Sequence, residues 1–345
     1  MVHFESGLGN QMLCYAEYLY MKEQSGDRCY GERLVYEIPS CGERISQWNG
    51  YELDRIFGIA VADIQSVFSP DQYKAIVSQV EKSRFWEDGW RYDQAILRAF
   101  AAQGLVLENY TMPFETGRPS AKKKLTMALE RSCKGYAVWT RKRRIKAMEQ
   151  DPRPARRQQL LIQAAQSPHN AYCGQTLTYM YRLPEVSQLD EALHQAFQFP
   201  PFAGEKNRWL ARTIADASAV AIHARRGDFL SHNGVLYTGG YFQKAVEYIK
   251  SQVQQPLFLI FCDPGSMDWC RKNSKIFSLD LQKDRVLFVD WNQGKESFRD
   301  MQLMSLCKHN IITSSSFGWW GAFLNAHPEK ITISPDPRVR TTMWL

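Results

Sequence analysis

The chain has 345 residues, 44% hydrophobic and 23% charged, with a formal net charge of +7. That is length for two ordinary domains and the composition of a soluble globular protein, which excludes a disordered or low-complexity chain. No apolar run approaches the roughly 18–20 residues needed to cross a bilayer, which excludes a membrane-spanning helix.

Met1-Val2-His3-Phe4 has neither a basic nor a hydrophobic leader region, so no signal peptide is expected. A short strand, Val2 to Glu5, leads through Ser6-Gly7-Leu8-Gly9-Asn10 into a helix from about Gln11 to Gln24, where Met12, Tyr15, Ala16, Leu19 and Tyr20 form a core face. Residues 30–115 give little pattern beyond a strand over Leu105 to Tyr110. From Ser120 to about Gln166 the pattern is helical and basic, broken at Asp151-Pro152-Arg153-Pro154. Between Arg118 and Arg157 stand fourteen Lys/Arg against three Asp/Glu, so this segment carries more than the whole net charge. It predicts either a solvated helical face or docking to an anionic membrane surface or a phosphate-bearing acceptor. Few aromatics interleave with the charges, and no nucleic-acid partner is expected. Pro200-Pro201 reads as a link between halves.

After Glu205 helices and strands alternate. Strands are predicted at Ala219–Ala224, Leu257–Cys262, Val286–Val289, Asn310–Thr313 and Ile331–Ser334, with helices of about 8–13 residues between most of them. That is the signature of βαβ units and a parallel sheet, an α/β fold. The eight cysteines have no Cys-x-x-Cys spacing, which argues against common zinc and redox motifs. Cys14, Cys262 and Cys307 read as reduced core residues, and a cytoplasmic setting is expected.

Three loops carry chemistry. The first strand of this alternation runs straight into His223-Ala224-Arg225-Arg226-Gly227-Asp228. Ligands of open α/β sheets bind beyond the carboxyl ends of strands. Adjacent arginines there call for an anion, and guanidinium forks suit phosphate oxygens, so the loop reads as a pyrophosphate site. The second loop, Thr313-Ser314-Ser315-Ser316-Phe317, precedes a helix whose N-terminal N–H groups suit an anion. Trp319-Trp320 just after it reads as core packing. The third loop, Gly7-Leu8-Gly9, lets backbone approach a ligand. It is half of a dinucleotide fingerprint, but Met12 stands where the third Gly or Ala is needed, which argues against an NAD(P)H oxidoreductase.

Together, Gly-Leu-Gly-Asn-Gln-Met (7–12), His-x-Arg-Arg-Gly-Asp (223–228), Asp300-Met301-Gln302-Leu303-Met304-Ser305-Leu306-Cys307 and Ser-Ser-Phe-x-Trp-Trp-Gly-Ala (315–322) resemble the α1,2-fucosyltransferases, glycosyltransferase family 11. The resemblance covers residues 5–22 and about 218–325. It implies a GT-B-like fold of two facing Rossmann-type domains: an acceptor-side domain over 1–200 with the basic segment 118–157, and a GDP-fucose-binding domain over 201–345 with a parallel sheet. It implies inverting transfer of L-fucose from GDP-β-L-fucose to the 2-hydroxyl of an acceptor ending in galactose. No metal and no cofactor are expected, and the chain contains no Asp-x-Asp. A fucosyltransferase of α1,6 or protein O-linkage, and a non-catalytic polyanion-binding module, are the alternatives.

The resemblance also assigns roles. Arg225 matches the arginine on the β-phosphate, with His223 beside the donor and Arg226 as a structural ion-pair partner. Asp300 matches the acid that reads the guanine edge. Ser315, Ser316 and the Phe317 backbone match the phosphate-binding turn. Asn10, with Gly9 beside it, matches an asparagine near the fucose C1 and the incoming hydroxyl. Asp228 is either the general base or the group that orients Arg225 or Arg226. Ser314 and Gly318 depart from the family's usual Asn and Ser, and Asp263 is retained but followed by a Pro264-Gly265 turn.

Overall fold

The structure, a computed structural model, describes residues 1–42, 49–112, 120–174, 176–183, 187–227 and 230–345. The chain forms two compact units: Met1–Arg118 with Pro152–Pro200, and Pro119–Asp151 with Pro201–Leu345. The basic segment, expected with the N-terminal half, is therefore divided. Helices Ala121–Ser132 and Lys134–Glu149 pack on helix Leu230–Thr238 and go with the second unit, while helix Arg153–Gln166 packs on helix Leu8–Ser25 and goes with the first. The break falls at the predicted prolines, with Pro154 in the first turn of the later helix, where a missing N–H costs nothing.

Among its described residues the first unit has four short parallel strands: β1 (Val2–His3), β2 (Gly31–Glu32), β3 (Glu108–Asn109) and β4 (Ala171–Tyr172). β1 pairs with β2 and β3 with β4, and a bridge from Val2 to Cys173 joins the pairs. Helices Pro70–Lys82 and Tyr92–Ala102 bury Tyr73, Ile76, Val80, Ile96, Ala99 and Phe100 in one core. The first of these helices starts on a capping box, in which Ser69 and Gln72 exchange side-chain and backbone bonds ahead of Pro70. A buried charge cluster sits at β1 and β2. His3 Nδ1 lies 2.6 Å from Glu32, which also accepts from Tyr92 Oη at 2.7 Å and from Leu34 N at 2.6 Å. Burial opposes protonation of His3, but Glu32 and Glu5 outweigh it and raise its pKa to about 9.

The second unit is built on a six-stranded parallel sheet: β5 (Ala219–Ala224), β6 (Leu257–Cys262), β7 (Arg285–Val289), β8 (His309–Ile311), β9 (Thr332–Ser334) and β10 (Met343–Trp344). The order is β10-β9-β8-β5-β6-β7, parallel throughout. β5 is buried along its whole length, which explains its apolar run from Ala219 to Ile222. Val220, Ile222 and Ala224 face Phe242, Ala245, Val246 and Ile249 of helix Tyr241–Gln252, together with Phe258 and Ile260 of β6. Trp319 and Trp320 are fully buried, and Gly321 admits Met304 so closely that an added Cβ would lie 2.9 Å from the Met304 Cβ. Helix Leu230–Thr238 and strand β10 have no counterpart among the predicted elements. The chain moves from β5 outward to β6 and β7, then returns to place β8 on the other side of β5. The order therefore reverses between β5 and β8, the place where open α/β sheets leave a crevice.

Ile222 is fully buried at the centre of this sheet. Ile222→Ala is expected to lower stability by about 2–5 kcal/mol, read from the midpoint of urea unfolding at unchanged m-value.

Candidate functional site

The register of β5 and β6 creates the first feature of the site. Ala224 pairs with Cys262, so Arg225 and Asp263 leave their strands side by side. The Asp263 carboxylate, whose side chain is 1% exposed, forms an ion pair with Arg225 Nη1. Its other oxygen accepts from the Arg226 backbone N–H. The Arg225 carbonyl accepts from Tyr237 Oη at 2.9 Å. Gly227, at φ +33°, passes over the same carboxylate, and an added Cβ would lie 3.4 Å from the Asp263 Cγ.

Arg226 departs from its expected role. Its guanidinium carbon lies 3.2 Å from the centre of the Trp269 ring and 4.9 Å from that of Tyr237, so it stacks on aromatic faces while Arg225 makes the ion pair. Asp228, proposed to orient either arginine, lies outside the described residues.

The second feature lies across the switch point. β8 pairs with β5 through Ile311 and Ile222, and Thr313-Ser314-Ser315 follows β8 into helix Ser316–Phe323. Ser315 is buried at the N-cap, and its side chain makes no cap hydrogen bond. The buried Thr313 Oγ1 and His223 Nδ1 have no hydrogen-bond partner among the described residues. The His223 ring lies 5.8 Å from that of Phe317 and directly against Gly318. Burial, reinforced by the Arg225 charge, lowers the His223 pKa to about 3. The imidazole is therefore neutral at physiological pH and can donate or accept one hydrogen bond, but it does not serve as an acid there. The geometry also accounts for Gly318, since a Cβ there would lie 2.9 Å from the His223 Cγ and nearer still to Nδ1.

The third feature is a small pocket lined by Cys262, Asp263, Asp290, Asn292, Gln293 and Asp300, among others. Asp300 Oδ1 accepts from Asn292 Nδ2 at 2.8 Å. Asn292 is itself locked by a paired amide contact with Asn207, 2.8 Å one way and 3.2 Å the other, and Asn207 accepts from Trp291 Nε1 at 2.6 Å. Burial raises the Asp300 pKa to about 8; the Asn292 hydrogen bond opposes this, and Asp290 adds to it.

The structure thus gathers His223, Arg225, Ser315, Ser316 and Phe317 around the ends of β5 and β8, and Asp300 in the pocket beside the β6 and β7 ends. Gly9 and Asn10 belong to the first unit, in the opening turns of helix Leu8–Ser25. There Asn10 N donates to Gly7 O at 2.9 Å, and the buried Gln11 amide ties Ser6 O to Gly50 O at 3.0 and 2.9 Å. Sequence reasoning missed Asn207, Asn292 and the anchoring role of Asp263. Asp263 carried a usable signal, a polar residue just past the carboxyl end of a buried strand.

Residues 205–337 match the description of Glycosyl transferase family 11. Similar proteins include an alpha-1,2-colitosyltransferase of Escherichia coli, 36% identical over 134 residues that make up 37% of this chain and 43% of the relative. A galactoside alpha-(1,2)-fucosyltransferase 1 of Sus scrofa is 33% identical over 110 residues, 30% of this chain and 28% of the relative. An O-antigen biosynthesis glycosyltransferase of Escherichia coli is 32% identical over 126 residues, 35% of this chain and 39% of the relative. The chain spans less than half the length of each of these relatives.

The packing of Gly318 on His223 is testable by a double-mutant cycle. Gly318→Ala is expected to cost about 1–3 kcal/mol through overpacking. In a His223→Ala background the same change should cost much less, so the two substitutions are non-additive in thermal or denaturant unfolding.

Proposed function

We propose that this chain, whose residues 205–337 match glycosyl transferase family 11, transfers L-fucose from GDP-β-L-fucose to the 2-hydroxyl of a galactoside, inverting to an α1,2 linkage. The observation that carries the reading is the Arg225 guanidinium, anchored on Asp263 across the switch point from the Ser315–Phe317 turn, with buried unpaired atoms on His223 and Thr313. On this reading a diphosphate is met by the Arg225 guanidinium and by the start of the helix that follows the turn. On this reading the two units correspond to the two Rossmann-type halves of a GT-B enzyme, with the donor residues in the second.

As GDP departs, negative charge grows on the β-phosphate. Arg225 and the backbone N–H groups of Ser316 and Phe317 are the preorganised donors for it, a contribution of about 2.7–4 kcal/mol for each such donor; the Ser315 N–H donates to Thr313 O at 2.8 Å. With the charge met this way, the reaction is proposed to run without a metal. The oxygen of Asp300 not bound by Asn292 accepts the paired N–H groups of a guanine edge, which adenine does not present. Asn10 aligns the acceptor hydroxyl, and its proton goes to Asp228 or to a phosphate oxygen. A second reading concerns the sugar alone. The relative at 36% identity is named for colitose transfer, so the same site is proposed to take nucleotide-activated colitose if fucose fails.

The test is incubation of the full chain, in chelator, with GDP-fucose or GDP-colitose and a panel of galactosides, followed by linkage analysis. An α1,2-linked product is expected; an α1,6 linkage, or turnover that requires Mn²⁺, overturns the scheme. Arg225→Ala is expected to lose at least about 100-fold in rate at unchanged fold.

The pH dependence of donor binding follows from Asp300. In the empty pocket its carboxyl holds a proton below a pKa of about 8. A guanine edge needs the carboxylate, so binding releases that proton. GDP affinity is expected to rise as pH increases toward about 8, by at most about tenfold per pH unit, and to level off above it. Calorimetry on wild type and Asp300→Asn checks this: the variant should lose this component of the slope, and an identical slope in both would remove Asp300 from base recognition.

A further inference from the structure

The hairpin of helices Ala121–Ser132 and Lys134–Glu149 has two unlike faces. Both helices pack on helix Leu230–Thr238, and the inward positions Glu130, Ala137, Thr140 and Arg141 are buried. Two of the segment's three acids are consumed internally: Glu130 by both oxygens on Arg144 at 2.7 Å, and Asp151 by Arg338. The outward face carries Leu125, Leu129 and Trp139, exposed by 62%, 39% and 50%. Leu125 and Leu129 are one turn apart on the first helix. Trp139, Lys142, Arg143 and Lys146 line the second helix opposite its buried positions. The Arg143 guanidinium lies 4.7 Å from the Trp139 ring and Tyr136 packs at 5.7 Å, so the tryptophan is held in place at the surface. Lys122, Lys123 and Lys124 stand exposed at the start of the hairpin.

We propose that this face docks on an anionic lipid bilayer, with Leu125, Leu129 and Trp139 entering the interfacial layer and the surrounding lysines and arginines meeting the headgroups. The inference goes beyond glycosyl transfer and stands without it. Charge complementarity selects an anionic surface, and the exposed leucines select lipid over a dissolved polyanion. Aliphatic side chains gain nothing from a phosphate backbone but leave water when they enter a bilayer interface. An exposed tryptophan flanked by basic residues suits the same layer.

The experiment is flotation of the full chain with phosphatidylcholine vesicles and with vesicles that also contain phosphatidylglycerol, beside a heparin-binding control. Binding is expected only to the anionic vesicles. The triple variant Leu125→Ser, Leu129→Ser, Trp139→Ser should lower the partition coefficient at least about tenfold, with heparin affinity and melting temperature unchanged. Lys122→Gln, Lys123→Gln, Lys124→Gln should weaken both vesicle and heparin binding. If the triple variant melts early, Trp139→Ser alone, with the loss of its vesicle-dependent fluorescence shift, provides the readout. The proposal is overturned by failure to bind anionic vesicles, by equal binding to neutral ones, or by anionic binding that the apolar substitutions leave intact. The last outcome would make the hairpin a polyanion site.

Discussion

The arginine loop depends on the buried carboxylate of Asp263. One of its oxygens holds the Arg225 guanidinium and the other holds the Arg226 backbone N–H, so a single side chain fixes both direction and register of the chain leaving β5. A carboxylate that is 1% exposed would be costly by itself, because desolvation penalises the charged form. Here it is answered by a guanidinium and an amide at once. Arg226 is disposed of on Trp269, which keeps the second guanidinium from competing for the carboxylate. The result is one arginine aimed by its partner and one parked on an aromatic face.

The groups around the two strand-end features are otherwise held neutral. His223 is kept unprotonated by burial and by the Arg225 charge, and Asp300 is kept protonated by burial against the Asn292 amide. This arrangement pairs the Arg225 charge with Asp263 and leaves the buried His223 Nδ1 and Thr313 Oγ1 without a hydrogen-bond partner among the described residues. The amide pair of Asn207 and Asn292 fixes which way Asn292 points before any ligand is present.

Much of the second unit was legible because burial on both faces leaves a plain mark. β6 is an uninterrupted apolar run and β5 is broken only by His223, and helix Tyr241–Gln252 has its core face at 242, 245, 246 and 249. Helix Leu230–Thr238 was not legible: it has Gly234 inside it and takes its place from the hairpin packed over it. The first unit was read poorly because its strands are two residues long, too short for a period to show. Its capping box at Ser69 was visible and went unused. Arg225 was found from its loop, but its partner is 38 residues away and becomes adjacent only when the β5–β6 register is known. The split of the basic segment was hidden for a related reason, since composition sees one run of charge where packing sees two surfaces.

Those two surfaces also separate by residue type. Around the hairpin, the arginines that reach inward are bonded: Arg141 donates to Leu345 O at 2.7 Å, Arg144 clasps Glu130, and Arg338 bridges Asp151 and Asp336. The lysines at 122, 123, 124, 134, 142 and 146 are all exposed. A planar guanidinium is weakly hydrated and satisfies several acceptors at once, so it tolerates the interior; an ammonium is strongly hydrated and stays at the surface. The count of basic residues therefore overstates what is available to an external partner. The residues facing outward are mostly lysines on flexible stems, interspersed with two leucines and a tryptophan, and this arrangement carries the surface chemistry of the segment.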